Sequence, residues 1–231
     1  FELMNTFKTP YLATSVQDFW DRWHISLTSW FRDYLYFPLG GSRKGVVRKY
    51  INIMIVFTVS GLWHGASWHY VMWGVLHGIM RVVEELTEKL RSKVLGVLQV
   101  RTNVLSYKAF QVLITFTLVT VAWVFFRAAS IGQAVGIIKN MLTCWNPWAL
   151  FDGSLLGLGL DGKDWNVLLV AILILFVVEC FKYKKIPMVQ TFAKQNLLFQ
   201  WLFFFIGILA VVIFGVYGPA YNASQFIYFQ F

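Results

Sequence analysis

An all-α, polytopic integral membrane protein is the fold class this sequence predicts, and three observations predict it. Of 231 residues, 58% are hydrophobic and only 13% charged, where a soluble domain carries about a quarter charged residues. The chain holds 22 Phe, 11 Trp and 10 Tyr, enough to furnish aromatic girdles at both membrane interfaces. Long apolar runs alternate with short segments that carry most of the Lys and Arg, and the mean hydropathy is +0.61.

The same distribution decides how to read the formal net charge of +9. Its basic residues sit between apolar runs, as the positive-inside rule expects, and no basic face interleaved with aromatics occurs outside those runs. A membrane partner is therefore expected and a nucleic acid is not. Cys144 and Cys180 offer neither metal spacing nor a disulfide framework. The chain starts at Phe1, where no signal peptide is expected, and its candidate site lies near that start. Residues 1–231 are accordingly expected to be one membrane domain, the C-terminal part of a longer protein.

Taken in order, residues 1–14 read as an irregular lead-in. Ser15 followed by Asp18 is a capping-box-like start. Val16, Phe19, Trp20, Trp23, Leu27, Trp30, Phe31 and Tyr34 then recur at spacings of three and four. That pattern predicts one amphipathic helix running to Pro38 and Gly40-Gly41, with Asp18 and Arg22 paired on its other face. Arg43, Lys44, Arg48 and Lys49 read as a basic loop. Two apolar runs follow, Tyr50 to about Leu62 and Tyr70 to Val83, each short of or barely at the ~20 residues of a full crossing. Residues 84–106 read as a polar surface helix with Glu84, Glu85, Glu88, Lys89 and Arg91. Tyr107–Phe126, Trp165–Phe181 and Leu197–Tyr217 are predicted spans, with a weakly amphipathic helix at 130–142 and a loop at 143–164. Alternation of the spans places the basic segments 42–49, 84–106 and 182–196 on one side, the cytoplasmic one.

Gly61-Leu62-Trp63-His64-Gly65-Ala66-Ser67-Trp68-His69 joins the two short runs. An ionisable side chain at membrane depth is a functional-site hypothesis by default. The spacings of His24, His64, His69 and His77 fit no zinc signature, so no metal is expected. Ser60 and Ser67 flank His64, yet no carboxylate is near in sequence and no Gly-x-Ser-x-Gly elbow occurs. A lone neutral imidazole in a low-dielectric site has another use: it accepts the proton of an attacking hydroxyl, a general-base role worth ~10²–10⁴-fold. Spacing alone leaves His64 open between that role and a packing histidine bonded to a backbone carbonyl. His24 reads as an edge-of-stripe residue on the amphipathic helix, and His69 and His77 read as packing or cavity lining.

Three stretches carry a resemblance: Phe19-Trp20-Asp21-Arg22-Trp23-His24-Ile25-Ser26-Leu27, Phe31-Arg32-Asp33-Tyr34-Leu35-Tyr36-Phe37-Pro38-Leu39-Gly40-Gly41, and Gly61 through Trp68. They resemble the membrane-bound O-acyltransferase family, most closely its bacterial alginate O-acetylation branch, as do Tyr217-Gly218-Pro219 and Ser224 to Phe229. Family members are typically about twice this length. The resemblance implies a bundle of amphipathic and short helices around a central tunnel, in a multi-pass protein of the cell (plasma or inner) membrane. It implies that His64 is the catalytic histidine and that His24 is the branch's second histidine, positioning donor or acceptor. Trp20, Trp63 and Trp68 would shape the tunnel, and Arg32, with Arg43 and Lys44, could meet donor phosphates; ordinary positive-inside charge is the other reading of the last two. The donor would be acyl-CoA or an acylated carrier protein on the cytoplasmic side, used as a cosubstrate. The acceptor would be a hydroxyl of an exported polysaccharide or of a relay acyltransferase. D-alanyl transfer to teichoic acid is the alternative within the family. A proton-coupled transporter is the alternative outside it, although the pseudo-symmetric repeats it would show are not evident.

Overall fold

Regular structure among the described residues, 4–158 and 162–215 of this computed structural model, is helical throughout, as an all-α chain requires. The chain divides into two compact units, Phe1–Trp145 and Asn146–Phe231.

The first unit opens with a short 3-10 turn, Pro10–Leu12, and then α1 (Val16–Arg22). Ser15 caps α1 as its sequence suggests: the residue is extended and its Oγ accepts the Asp18 N–H at 3.0 Å. The single helix expected from Ser15 to Pro38 does not form. Trp23 is extended (φ −98°, ψ 129°), His24 is left-handed (φ 46°, ψ 50°), and a second helix, α2 (Ile25–Phe31), begins after it. It continues into a π-helical turn, Arg32–Tyr36, where the Phe37 N–H donates to the Arg32 carbonyl at 3.0 Å. Apolar periodicity cannot register this break, because both pieces keep helical spacing and bury Val16, Phe19, Trp20 and Phe31 on the same side of the count. The cause is non-local. The Ile25 N–H donates to the Thr6 carbonyl at 2.8 Å and the Lys8 N–H to the Arg22 carbonyl at 2.9 Å. The lead-in thus takes up backbone groups that a continuous helix would pair internally.

Next come α3 (Val46–Trp63) and α4 (Trp68–Leu86), an antiparallel hairpin. They are longer than the short runs read from hydropathy. The helix starts directly after Gly45 (φ 90°), so Arg48 and Lys49 lie in its first turn and not in a loop. The 18 residues of α3 rise about 27 Å at ~1.5 Å each. Glycines set how closely the hairpin closes. A Cβ on Gly61 would stand 2.3 Å from the Tyr70 carbonyl oxygen, and one on Gly74 would stand 2.1 Å from that of Phe57. Small residues let helix backbones meet in this way, and packing of this kind associates helices in lipid.

The helix α4 also runs further than the apolar run, so Glu84 and Glu85 belong to it and turn inward. Both Glu84 carboxylate oxygens accept N–H groups at the start of α1, from Val16 and Gln17, each at 2.9 Å. Arg81 donates to Gln17 Oε1 at 2.6 Å, and Glu85 pairs with Lys49. The surface helix of this region is the shorter α5 (Glu88–Val97). After it, α6 (Leu105–Arg127) and α7 (Ile131–Thr143) complete the unit. Its core gathers Phe19 and Trp20 from α1, Trp73 from α4, Val119, Ala122 and Phe125 from α6, and Ala134 from α7.

In the second unit, two 3-10 turns (Pro147–Leu150 and Ser154–Leu158) lie within the segment expected to be loop. Three helices follow: α8 (Gly162–Tyr183), α9 (Met188–Ala193) and α10 (Leu197–Phe214). Among the described residues, four helices are long and apolar enough to cross a membrane, α3, α6, α8 and α10, and the last two expose apolar side chains along their length. The expected span to Tyr217 ends at Phe214 as a described helix; Tyr217-Gly218-Pro219 and Ser224 to Phe229 lie outside the described residues.

Candidate active site

The hairpin delivers His64. Its N–H donates to the Gly61 carbonyl at 3.1 Å, so the residue ends α3 in relaxed right-handed geometry (φ −73°, ψ −15°). Gly65 (φ 157°) then carries the extended turn to Ser67, where α4 starts. The imidazole stands inside three aromatic rings at nearly right angles to each: Trp63 with centroids 4.8 Å apart, Trp73 at 5.2 Å and Phe126 at 5.0 Å. No hydrogen-bond partner meets its ring nitrogens among the described residues. The packing alternative required such a partner, and it is His69 that has one: His69 Nδ1 donates to the Phe125 carbonyl at 3.2 Å. A carbonyl only accepts, so that nitrogen carries the proton.

His24 stands at the break between α1 and α2. Ser26 Oγ lies 3.4 Å from His24 Nδ1, and the Phe7 ring packs at 5.9 Å. A non-glycine residue in the left-handed region costs on the order of 1–3 kcal/mol and persists only where its surroundings over-determine it. Such residues cluster at functional sites, and here the residue is one of the two histidines singled out by sequence.

The remaining candidates separate. Trp63 packs on His64 and is 55% exposed, whereas Trp68 is 77% exposed and Arg32 turns outward to Asp33 at 3.2 Å. Trp20 is 8% exposed and lies in the core, its indole N–H donating to His77 Nδ1 at 3.3 Å. His77 is fully buried, and by accepting at Nδ1 it is held neutral with its proton on Nε2. Two residues of the aromatic enclosure went unmarked as site residues in the sequence. Trp73 lies four residues from both His69 and His77, on their apolar face, where an aromatic reads as packing. Phe126 comes from α6, far along the chain, and nothing within an apolar run distinguishes it. As for metal ligands, no group of three or more His, Cys, Asp or Glu stands together among the described residues.

The model of the membrane-bound O-acyltransferase family matches residues 4–126, which include both histidines and their aromatic surroundings. The chain belongs to that family. Among curated relatives, the probable alginate O-acetylase AlgI of Pseudomonas putida is 39% identical over 152 residues, 66% of this chain and 29% of that protein. A peptidoglycan O-acetyltransferase of Helicobacter pylori is 39% identical over 140 residues, 59% of this chain and 24% of that protein. A teichoic acid D-alanyltransferase of Bacillus subtilis is 31% identical over 94 residues, 38% of this chain and 24% of that protein. The chain thus spans less than a third of the length of the relatives it matches. Family membership and the apolar helices together make this a membrane protein.

Proposed function

We propose that the protein transfers an acyl group, acetyl foremost, to hydroxyls of an exported cell-surface polysaccharide or of a relay acyltransferase. The observation that carries this reading is His64: an imidazole enclosed by Trp63, Trp73 and Phe126, with no protein hydrogen bond on its ring among the described residues. Such a ring is free to accept a proton from an incoming hydroxyl. As the hydroxyl oxygen bonds to the acyl carbon of a thioester donor, His64 takes its proton. The carbon–sulfur bond then breaks and the leaving thiolate recovers that proton. His24 orients the donor or the acceptor at the same place. Acyl-CoA or an acylated carrier protein would supply the group from the cytoplasmic side, with the protein in the cell membrane.

The acetyl assignment is supported by the AlgI and peptidoglycan relatives, which share 59–66% of this chain, against 38% for the D-alanyltransferase. D-alanyl transfer is the second reading. Acyl analysis of surface polysaccharide from wild type and from an equally expressed His64→Ala strain tests both. Loss of ester-linked acetate is expected; loss of D-alanine instead moves the assignment to the second reading, and unchanged acylation removes both.

A further inference from the structure

We propose that Arg22 is the positioning residue of His24, acting by locking residues 6–9 against α1; this rests on the reading that His24 belongs to the active site. Two backbone hydrogen bonds bracket His24, from Ile25 N–H to the Thr6 carbonyl and from Lys8 N–H to the Arg22 carbonyl. Both are made to residues 6–8, so the left-handed turn lasts only while that strap stays in place. If the strap lifts, Trp23 and His24 can relax to the continuous helix their periodicity favours, and the imidazole leaves its place.

The strap is fastened at two points. Phe7 packs edge-on to Trp23, centroids 4.8 Å apart, and the Arg22 guanidinium holds Thr9. Its Nη1 donates to Thr9 Oγ1 at 3.1 Å and reaches the Thr9 carbonyl at 3.4 Å, while its Nε donates to Asp18 Oδ1 at 2.6 Å. Asp18 is itself fixed, its Oδ2 accepting the Thr14 N–H at 3.0 Å. Thr9 is 5% exposed and also left-handed (φ 48°). One planar fork therefore ties the left-handed Thr9 to Asp18 of α1. A lysine has the charge but lacks the fork, and cannot hold both partners in fixed directions.

The test compares the whole protein, inserted in membrane, with its Arg22→Lys variant. A displaced group near the chemistry costs roughly 10- to 100-fold in rate, and a loss in that range is expected with donor KM little changed. In a His24→Ala background the same substitution is expected to add nothing, since there is no imidazole left to place. An equal further loss in that background overturns the proposal. Should His24→Ala alone leave the rate intact, the functional reading of His24 fails. The positioning claim is then decided by modification of His24 with diethyl pyrocarbonate, followed by peptide mass spectrometry. Arg22→Lys is expected to change that rate severalfold and leave His69 unchanged; unaltered His24 reactivity overturns the claim. If Arg22→Lys fails to fold, Thr9→Val removes only the hydroxyl acceptor and is read the same way, with smaller shifts in the same direction.

Discussion

His64 and His24 are held in place by opposite physical means. His64 ends a hairpin whose helices are pressed together at Gly61 and Gly74, and its backbone is relaxed. His24 sits at a forced break, left-handed, and is kept there by hydrogen bonds from a separate segment. Dispersion between close backbones is broad and forgiving of composition but intolerant of added volume. A strained turn held by hydrogen bonds behaves in the reverse way: side-chain bulk matters little, and single polar atoms matter a great deal. The proposed pair is thus built from both devices, with one member fixed by shape and the other by bonding.

Substitutions sharpen or break that contrast, and the largest effect should come from the shape-held side. Gly74→Ala puts a methyl group 2.1 Å from the Phe57 carbonyl oxygen, with only backbone to give way. It is expected to cost about 3 kcal/mol, read as a lowered Tm in detergent. A stability within experimental error of wild type would mean that the hairpin is not closed by its glycines. Trp20→Phe keeps an aromatic side chain but removes the indole N–H that His77 Nδ1, a fully buried acceptor, receives. The expected loss is about 2 kcal/mol, and denaturation of the His77→Phe/Trp20→Phe pair should recover much of it.

Smaller still is Glu84→Ala, which leaves the first two N–H groups of α1 uncapped. About 1 kcal/mol is expected, accompanied by faster amide hydrogen exchange at Val16 and Gln17; protection unchanged at those amides would contradict it. His24→Gly closes the series with the opposite sign. Glycine accepts the left-handed turn without a Cβ penalty, so stability should rise by about 1 kcal/mol while acyl transfer collapses. A destabilised His24→Gly protein would show that the turn is not strained.

What the sequence reveals follows the same division. Composition and hydropathy disclosed the helical membrane class, because burying apolar side chains in lipid leaves a mark on every residue of a span. The turn at Gly61–His69 was legible because a histidine between apolar runs is conspicuous. The break at Trp23-His24 was not legible, since it depends on Thr6 and Lys8 offering backbone partners, and backbone groups have no sequence signature. Arg22 was read as an ordinary i, i+4 partner of Asp18, which it is, but its second hand on Thr9 is a tertiary contact. Glu84 and Glu85 were misplaced onto a surface helix for a related reason. Charge normally ends an apolar helix, but here the facing α1 N-terminus, Lys49 and Arg81 compensate the two carboxylates carried inward.

The central claim is that two differently held histidines act as one site. The most direct measurement is the acyl-transfer rate of His24→Ala, His64→Ala and the double variant, each at matched expression and membrane insertion. Residues that act as a unit lose activity non-additively, so the double variant should be no slower than the worse single one. Losses that multiply would place the two histidines in separate, independent roles and contradict the account.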